Sequence, residues 1–119
     1  MVYAKAGEYP ELAQHIEDAQ NLQNLPGKHG TTCYLTRLTD SKKINQNRGA
    51  ACPGRLPRRG LQCDEYPFAS TWQGAKTGGG SFSRRMIDGA QNEDGGRALG
   101  RFYLYNRIIE KDKFLVWIK

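Results

Sequence analysis

The chain has 119 residues, 38% apolar and 25% charged, with a formal net charge of +6 and a sequence pI near 9.4. That length suits one domain around one core, and no apolar run approaches the ~20 residues that cross a bilayer. The start, Met1-Val2-Tyr3-Ala4-Lys5, has no apolar signal-peptide core, so the expectation is a cytosolic protein or a mature domain cut from a longer secreted or delivered one.

In chain order, residues 9–20 read as an amphipathic helix. Pro10 suits its first turn, Leu12, Ile16 and Ala19 recur on one face, and acidic residues take the other. His15 falls on or beside the polar face and is given no catalytic role. Thr31 to Arg37 is β-branched and aromatic, a strand pattern. Residues 40–49 form a short helix, with Asp40 or Ser41 as cap and Gly49 as stop. A loop leads to Cys63, and residues 62–71 are extended, with Pro67 demanding an edge strand or a break. Residues 71–80 turn, and the triple glycine at 78–80 lacks the Gly-Lys-Ser/Thr of a phosphate loop. Residues 81–88 make a second strand, 89–96 a polar loop and 97–107 a helix. Lys113 to Ile118 reads as an apolar strand, central in the sheet. The result is one α+β domain, with a helical segment over 1–30 and a core over 31–119.

The positive charge is clustered. Arg48, Arg55, Arg58 and Arg59 precede residue 63, and Arg84, Arg85, Arg97, Arg101 and Arg107 follow it. Clustered arginines favour a polyanion partner, because their planar forks match phosphate oxygens and binding releases counterions. There are three cysteines, Cys33, Cys52 and Cys63, with no C-x-x-C pair, which argues against a zinc site and a zinc deaminase. The Pro/Gly/Arg-rich segment between Cys52 and Cys63 cannot pack itself. A bridge across it would contribute roughly 2–3 kcal/mol. A Cys52–Cys63 disulfide with Cys33 as a buried free thiol is expected; the alternative is three reduced thiols in a cytosolic protein.

The densest chemical signal is Cys63-Asp64-Glu65-Tyr66-Pro67-Phe68-Ala69-Ser70-Thr71. Adjacent carboxylates repel, so they make most sense at the mouth of a site, beside a cation or a proton to be taken. Phosphodiester hydrolysis needs a base, a cation and phosphate donors. Asp64 or Glu65 could supply the base, the Asn92 amide could bind a hard cation, and the arginines could grip phosphate.

This stretch resembles the signature of the NucA/NucB-type deoxyribonuclease domain. Leu35–Asp40 with Asn47-Arg48 and Ala51-Cys52, Ser83–Ile87, and Gln91-Asn92 with Gly95-Gly96 and Tyr105–Ile108 look similar to the same family, so the likeness spans residues 31–118. The resemblance implies a small mixed-topology domain with a reduced ββα-metal-type nuclease site, on a short antiparallel sheet flanked by helices. It also implies a metal-dependent, largely sequence-nonspecific DNA endonuclease using Mg²⁺ or Mn²⁺.

By the same resemblance, Asp64 is the general base and Glu65 orients the site or holds water on the metal. Asn92 anchors the metal at the start of the helix. Glu93 stands beside it as a second ligand, where the family has no fixed acid. Arg85 is the first phosphate clamp, followed by Arg48, with Arg84 beside it; strand alternation lets only one of Arg84 and Arg85 face the site. Trp72 is the aromatic most suited to touch nucleic acid, whereas Tyr66, Phe68, Phe102, Tyr103 and Trp117 read as core. The expected partners are DNA and an acidic immunity or inhibitor protein, with no membrane, and the chain may be read as the toxic C-terminal domain of a delivered protein. The rival readings are a non-catalytic nucleic-acid-binding module and an RNA-cleaving toxin domain. Paired carboxylates among arginines count against the first, and the scarcity of histidine against the second.

Overall fold

The computed structural model describes residues 1–54 and 60–119. The elements run β1 (Val2–Tyr3), α1 (Pro10–Leu22), β2 (Leu35–Thr36), α2 (Ser41–Ala51), β3 (Leu61–Tyr66), β4 (Ser83–Asp88), α3 (Gly89–Tyr105), β5 (Lys113–Phe114) and β6 (Trp117–Ile118). This is the expected α+β mixture, with short, mostly antiparallel pairings. Arg55, Arg58 and Arg59 of the basic cluster lie outside the described residues. Among the described residues no helix is long and apolar enough to cross a membrane.

The first helix starts at Pro10 and buries Leu12, Ala13, Ile16 and Ala19. Its stripe also buries His15 completely, which corrects the placement of that residue on the polar face. Positions 12, 15, 16 and 19 share one helical face by ordinary i+3/i+4 spacing, so a histidine there is carried inward with its neighbours.

Strands β3 and β4 form an antiparallel ribbon from Leu61↔Asp88 to Tyr66↔Ser83. It ends at Tyr66, before a cis peptide to Pro67, where the sequence required a break. Asp88 closes β4 and caps α3, accepting a hydrogen bond from the Gln91 amide at 3.0 Å. Residues 89–96 are therefore the opening turns of α3, not a polar loop. Two glycines that suggested a loop are close-approach positions instead. A Cβ at Gly89 would stand 2.9 Å from the Gly60 carbonyl oxygen, and one at Gly95 would collide with Leu12 of α1.

The expected central strand at 113–118 is a seam shared by three partners. Residues of β5 pair with β2, Val116 donates to the Gly27 carbonyl at 2.7 Å, and β6 pairs in parallel with β1. Phe114 and Val116 are buried while Lys113 and Trp117 are exposed; such alternation marks a half-buried strand, since a central one buries both faces. Trp117 stands outside the core, stacked on His29 at 4.4 Å. Of the 31–37 strand only the end is paired, Leu35–Thr36 with β5 and Arg37 in a bridge to Thr71, while at its start Thr31 turns its hydroxyl onto the Lys28 carbonyl at 2.7 Å. Cys33 is exposed in consequence, not buried.

One core cluster gathers Tyr3, Leu12, Ile16, Leu35, Tyr66, Phe68, Ile87, Leu99, Tyr103, Phe114 and Val116. It joins α1 and α3 to the ribbon and the seam. The Cys52–Cys63 disulfide is formed and ties the end of α2 to β3.

Candidate active site

A two-stranded ribbon leaves one edge of β3 without a partner strand. Along that edge opens a cleft of about 910 Å³, walled by Asn45, Arg48 and Gly49 of α2 and by Asn92, Gly96, Leu99 and Tyr103 of α3. Residues 61–65 and 68–70 complete it. Because side chains alternate along a strand, β3 presents different residues to its two sides. Cys63 is bridged to α2 and Glu65 is held near Arg48, whereas Gln62 reaches α3 and Asp64 reaches α1.

Asp64 is buried, and its Oδ2 lies 2.6 Å from His15 Nδ1. Burial pushes its carboxyl above the ordinary value, and the imidazole contact opposes that push. Glu65 is pushed up to about 7, again mainly by burial; the Arg48 guanidinium pulls it down and the Asp64 charge pushes it further up. Its Oε2 is buried with no hydrogen-bond partner among the described residues. A buried carboxylate oxygen in that condition favours acquiring a proton or a cation.

Asn92 lies in the second turn of α3, one residue past Gln91, whose amide Asp88 caps. Its Nδ2 donates to Gln62 Oε1 at 2.9 Å, which leaves its amide oxygen for another partner. Gln62 in turn donates to Glu93 at 2.7 Å, and Glu93 lies exposed beside Arg97, away from the cleft lining. Among the described residues no three His, Cys, Asp or Glu side chains gather to hold an ion. The oxygens the cleft does offer, Glu65 Oε2 and the Asn92 amide oxygen, are of the hard kind that a divalent ion accepts alongside water.

Asp64, Glu65, Arg48 and Asn92 thus share one cleft. Arg84 and Arg85 diverge, as alternation requires. Arg85 stands opposite Asp64 and pairs with Asp18 of α1 at 2.9 Å; Arg84 stands opposite Glu65 and donates to the Ala51 carbonyl at 3.2 Å. Of the two, Arg84 is on the Glu65 side, and neither lines the cleft. Trp72 is half-buried, with its indole nitrogen on Glu110 at 2.7 Å, and also lies outside the cleft.

Three residues escaped sequence reasoning. His15 was legible in the helical spacing but was assigned to the wrong edge of the stripe. Gln62, which orients Asn92, carried no signal. Asn47 stands in the family-like Asn47-Arg48 pair, where it has no assigned role; it is fully buried and holds the loop after β3. Its Nδ2 donates to Ala69 O at 2.9 Å, and its Oδ1 accepts from the amides of Lys76 and Thr77, each at 2.9 Å.

A family model described as Deoxyribonuclease NucA/NucB matches residues 24–117. Comparison with curated proteins finds no match.

Proposed function

The chain belongs to the NucA/NucB deoxyribonuclease family, and from that premise we propose that its cleft hydrolyses DNA phosphodiester bonds with a divalent ion, Mg²⁺ or Mn²⁺. The observation that carries this reading is the buried Glu65 Oε2, without a hydrogen-bond partner among the described residues, in the cleft shared by Asp64, Arg48 and Asn92. We read β3, β4 and α3, joined without a linker between β4 and α3, as a reduced ββα-metal unit.

In this reading Glu65 and the Asn92 amide oxygen hold the ion. When bound, the ion neutralises charge that builds on the phosphate oxygens in the transition state. Asp64 is the base. Its Oδ2 is occupied by His15, so Oδ1 takes the proton from water as the water oxygen bonds to phosphorus and the far P–O bond breaks. A carboxylate whose pKa is raised accepts a proton more readily than an ordinary one, provided it is ionised at the working pH. The departing oxygen takes its proton from solvent. Arg48, exposed on the cleft wall, grips a neighbouring phosphate, with Arg84 behind it. Glu93 has no part in ion binding, since it faces solvent and accepts from Gln62.

Phosphate contacts carry no base information, which supports cleavage with little sequence preference. The family is of the secreted nuclease type, and the disulfide suits an oxidising compartment. On that support the enzyme acts outside the cell that makes it or inside a target cell as a toxin, and its +6 charge also suits an acidic inhibitor protein.

The test is plasmid digestion by the parent, Asp64→Asn and Glu65→Gln, with Mg²⁺ or Mn²⁺ and with EDTA. Cleavage by the parent alone, abolished by EDTA, is expected. Full cleavage in EDTA would overturn the ion, and full cleavage by Asp64→Asn the base. DNA binding without cleavage under any ion would return the chain to a binding module.

A further inference from the structure

We infer that His15 is a positioning residue for this reaction. From α1, ahead of the segment that matches the family, it clamps one oxygen of Asp64 so that the other is presented to the cleft. The inference rests on Asp64 being the base.

The imidazole is held at both ends. Nδ1 lies 2.6 Å from Asp64 Oδ2 on β3, and Nε2 lies 2.9 Å from Ser83 Oγ on β4. An ionised carboxylate only accepts, so Nδ1 carries the proton and donates. At its other end Nε2 shares a hydrogen bond with the Ser83 hydroxyl, which can serve as either donor or acceptor. Ser83 Oγ also accepts from Gln23 Nε2 at 3.4 Å. With both nitrogens engaged on different strands, the ring cannot turn without breaking two buried hydrogen bonds.

Asp64 is 7% exposed. Without the Nδ1 donor its Oδ2 is left buried and unpartnered, a state that costs free energy and moves the side chain from its place. A base misplaced by even a fraction of a hydrogen-bond length loses rate while substrate binding persists. Residues 24–117 are the part matched to the family, so the clamp is contributed by a segment outside it. The N-terminal helix is in this sense part of the active-site support.

Two substitutions separate the two ends of the ring. An asparagine amide reaches the place of Nδ1, and a glutamine amide reaches the place of Nε2. In the full chain with Mg²⁺, His15→Asn retains kcat within a few-fold, because the Asp64 donor is kept. His15→Gln keeps the Ser83 contact, and kcat falls roughly 10–100-fold with KM unchanged, the usual size for loss of a supporting shell. Thermal melting establishes whether each variant folds. Parent kcat in folded His15→Gln, or equal loss in both variants, overturns the positioning role. If the glutamine variant does not fold, a tenfold or greater loss of kcat in folded His15→Asn overturns it, and retained kcat there supports it. Asp64→Asn is run alongside. If it is inactive while His15→Gln is fully active, the clamp fails and the base stands; if it is fully active, the base itself fails.

Discussion

Asp64 and Glu65 are consecutive on β3 yet belong to different environments. Asp64 is gripped by His15 from α1, and Glu65 is turned toward Arg48 on α2 with one oxygen unpartnered among the described residues. Environments that differ in this way let two identical functional groups take different tasks. They also make the two carboxylates separable by experiment.

The Glu65 carboxyl is pushed from 4.5 to about 7 by burial. A carboxyl that holds its proton more tightly when folded contributes stability that is full below about pH 4.5 and is lost as pH rises through 7. In EDTA, the unfolding free energy of the parent therefore falls by about 2–3 kcal/mol relative to Glu65→Gln between about pH 5 and 8. Urea melts at intervals across that range measure it. Mg²⁺ at a hundred times its Kd should restore about 2.7 kcal/mol to the parent at the upper pH and little to the variant.

Arg48 lines the cleft, whereas Arg85 is paired with Asp18. Arg48→Ala is expected to raise KM for DNA and to reduce the slope of log affinity against log salt by about one. Arg85→Ala should leave both nearly unchanged. Binding titrations at several salt concentrations, using inactive Asp64→Asn as background, distinguish them.

Helix α2 buries only Asn47 and Ala51, so little apolar packing holds it. Its end is held by the Cys52–Cys63 bridge. Reduction, or paired Cys52→Ser and Cys63→Ser, should cost roughly 2–3 kcal/mol and raise KM more than it lowers kcat, because the wall carrying Arg48 loosens. Melting curves and kinetics with and without reductant provide the check.

Asn47 bonds both ends of its amide to the 69–77 loop. Asn47→Ala leaves several buried backbone groups unpaired and is expected to cost roughly 3 kcal/mol. Asn47→Asp keeps the acceptor but loses the donor, and should fall between the two. Chemical denaturation ranks the three proteins.

Most of the elements could be read from local pattern. The first helix, the Asp40-capped helix and the ribbon before and after the triple glycine follow from caps, periodicity and turn residues. The disulfide followed from a loop unable to pack. Errors arose where a residue type serves two purposes. Gly89 and Gly95 read as loop punctuation, but they are places where α3 touches β3 and α1, which only tertiary packing reveals. The 113–118 run read as a central strand because its composition is apolar, while its hydrogen bonds are divided among three partners. At the cleft, Asp64 and Glu65 stand in the central motif, and Arg48 and Asn92 in other stretches that resemble the family. His15, Gln62 and Asn47 hold other parts in position through long-range contacts; even for Asn47, which stands in a family-like pair, the partners in the 69–77 loop are not written in the local sequence.

Asp88 is both the last residue of β4 and the cap of α3, so the floor of the cleft and its α3 wall form one stiff piece without a hinge. Any widening to admit DNA has to come from the opposite bank. Among the described residues, helix α2 is fastened there by one sulfur crosslink, the amide of one asparagine and the reach of Arg84 to its last carbonyl, so that bank is the more loosely held of the two.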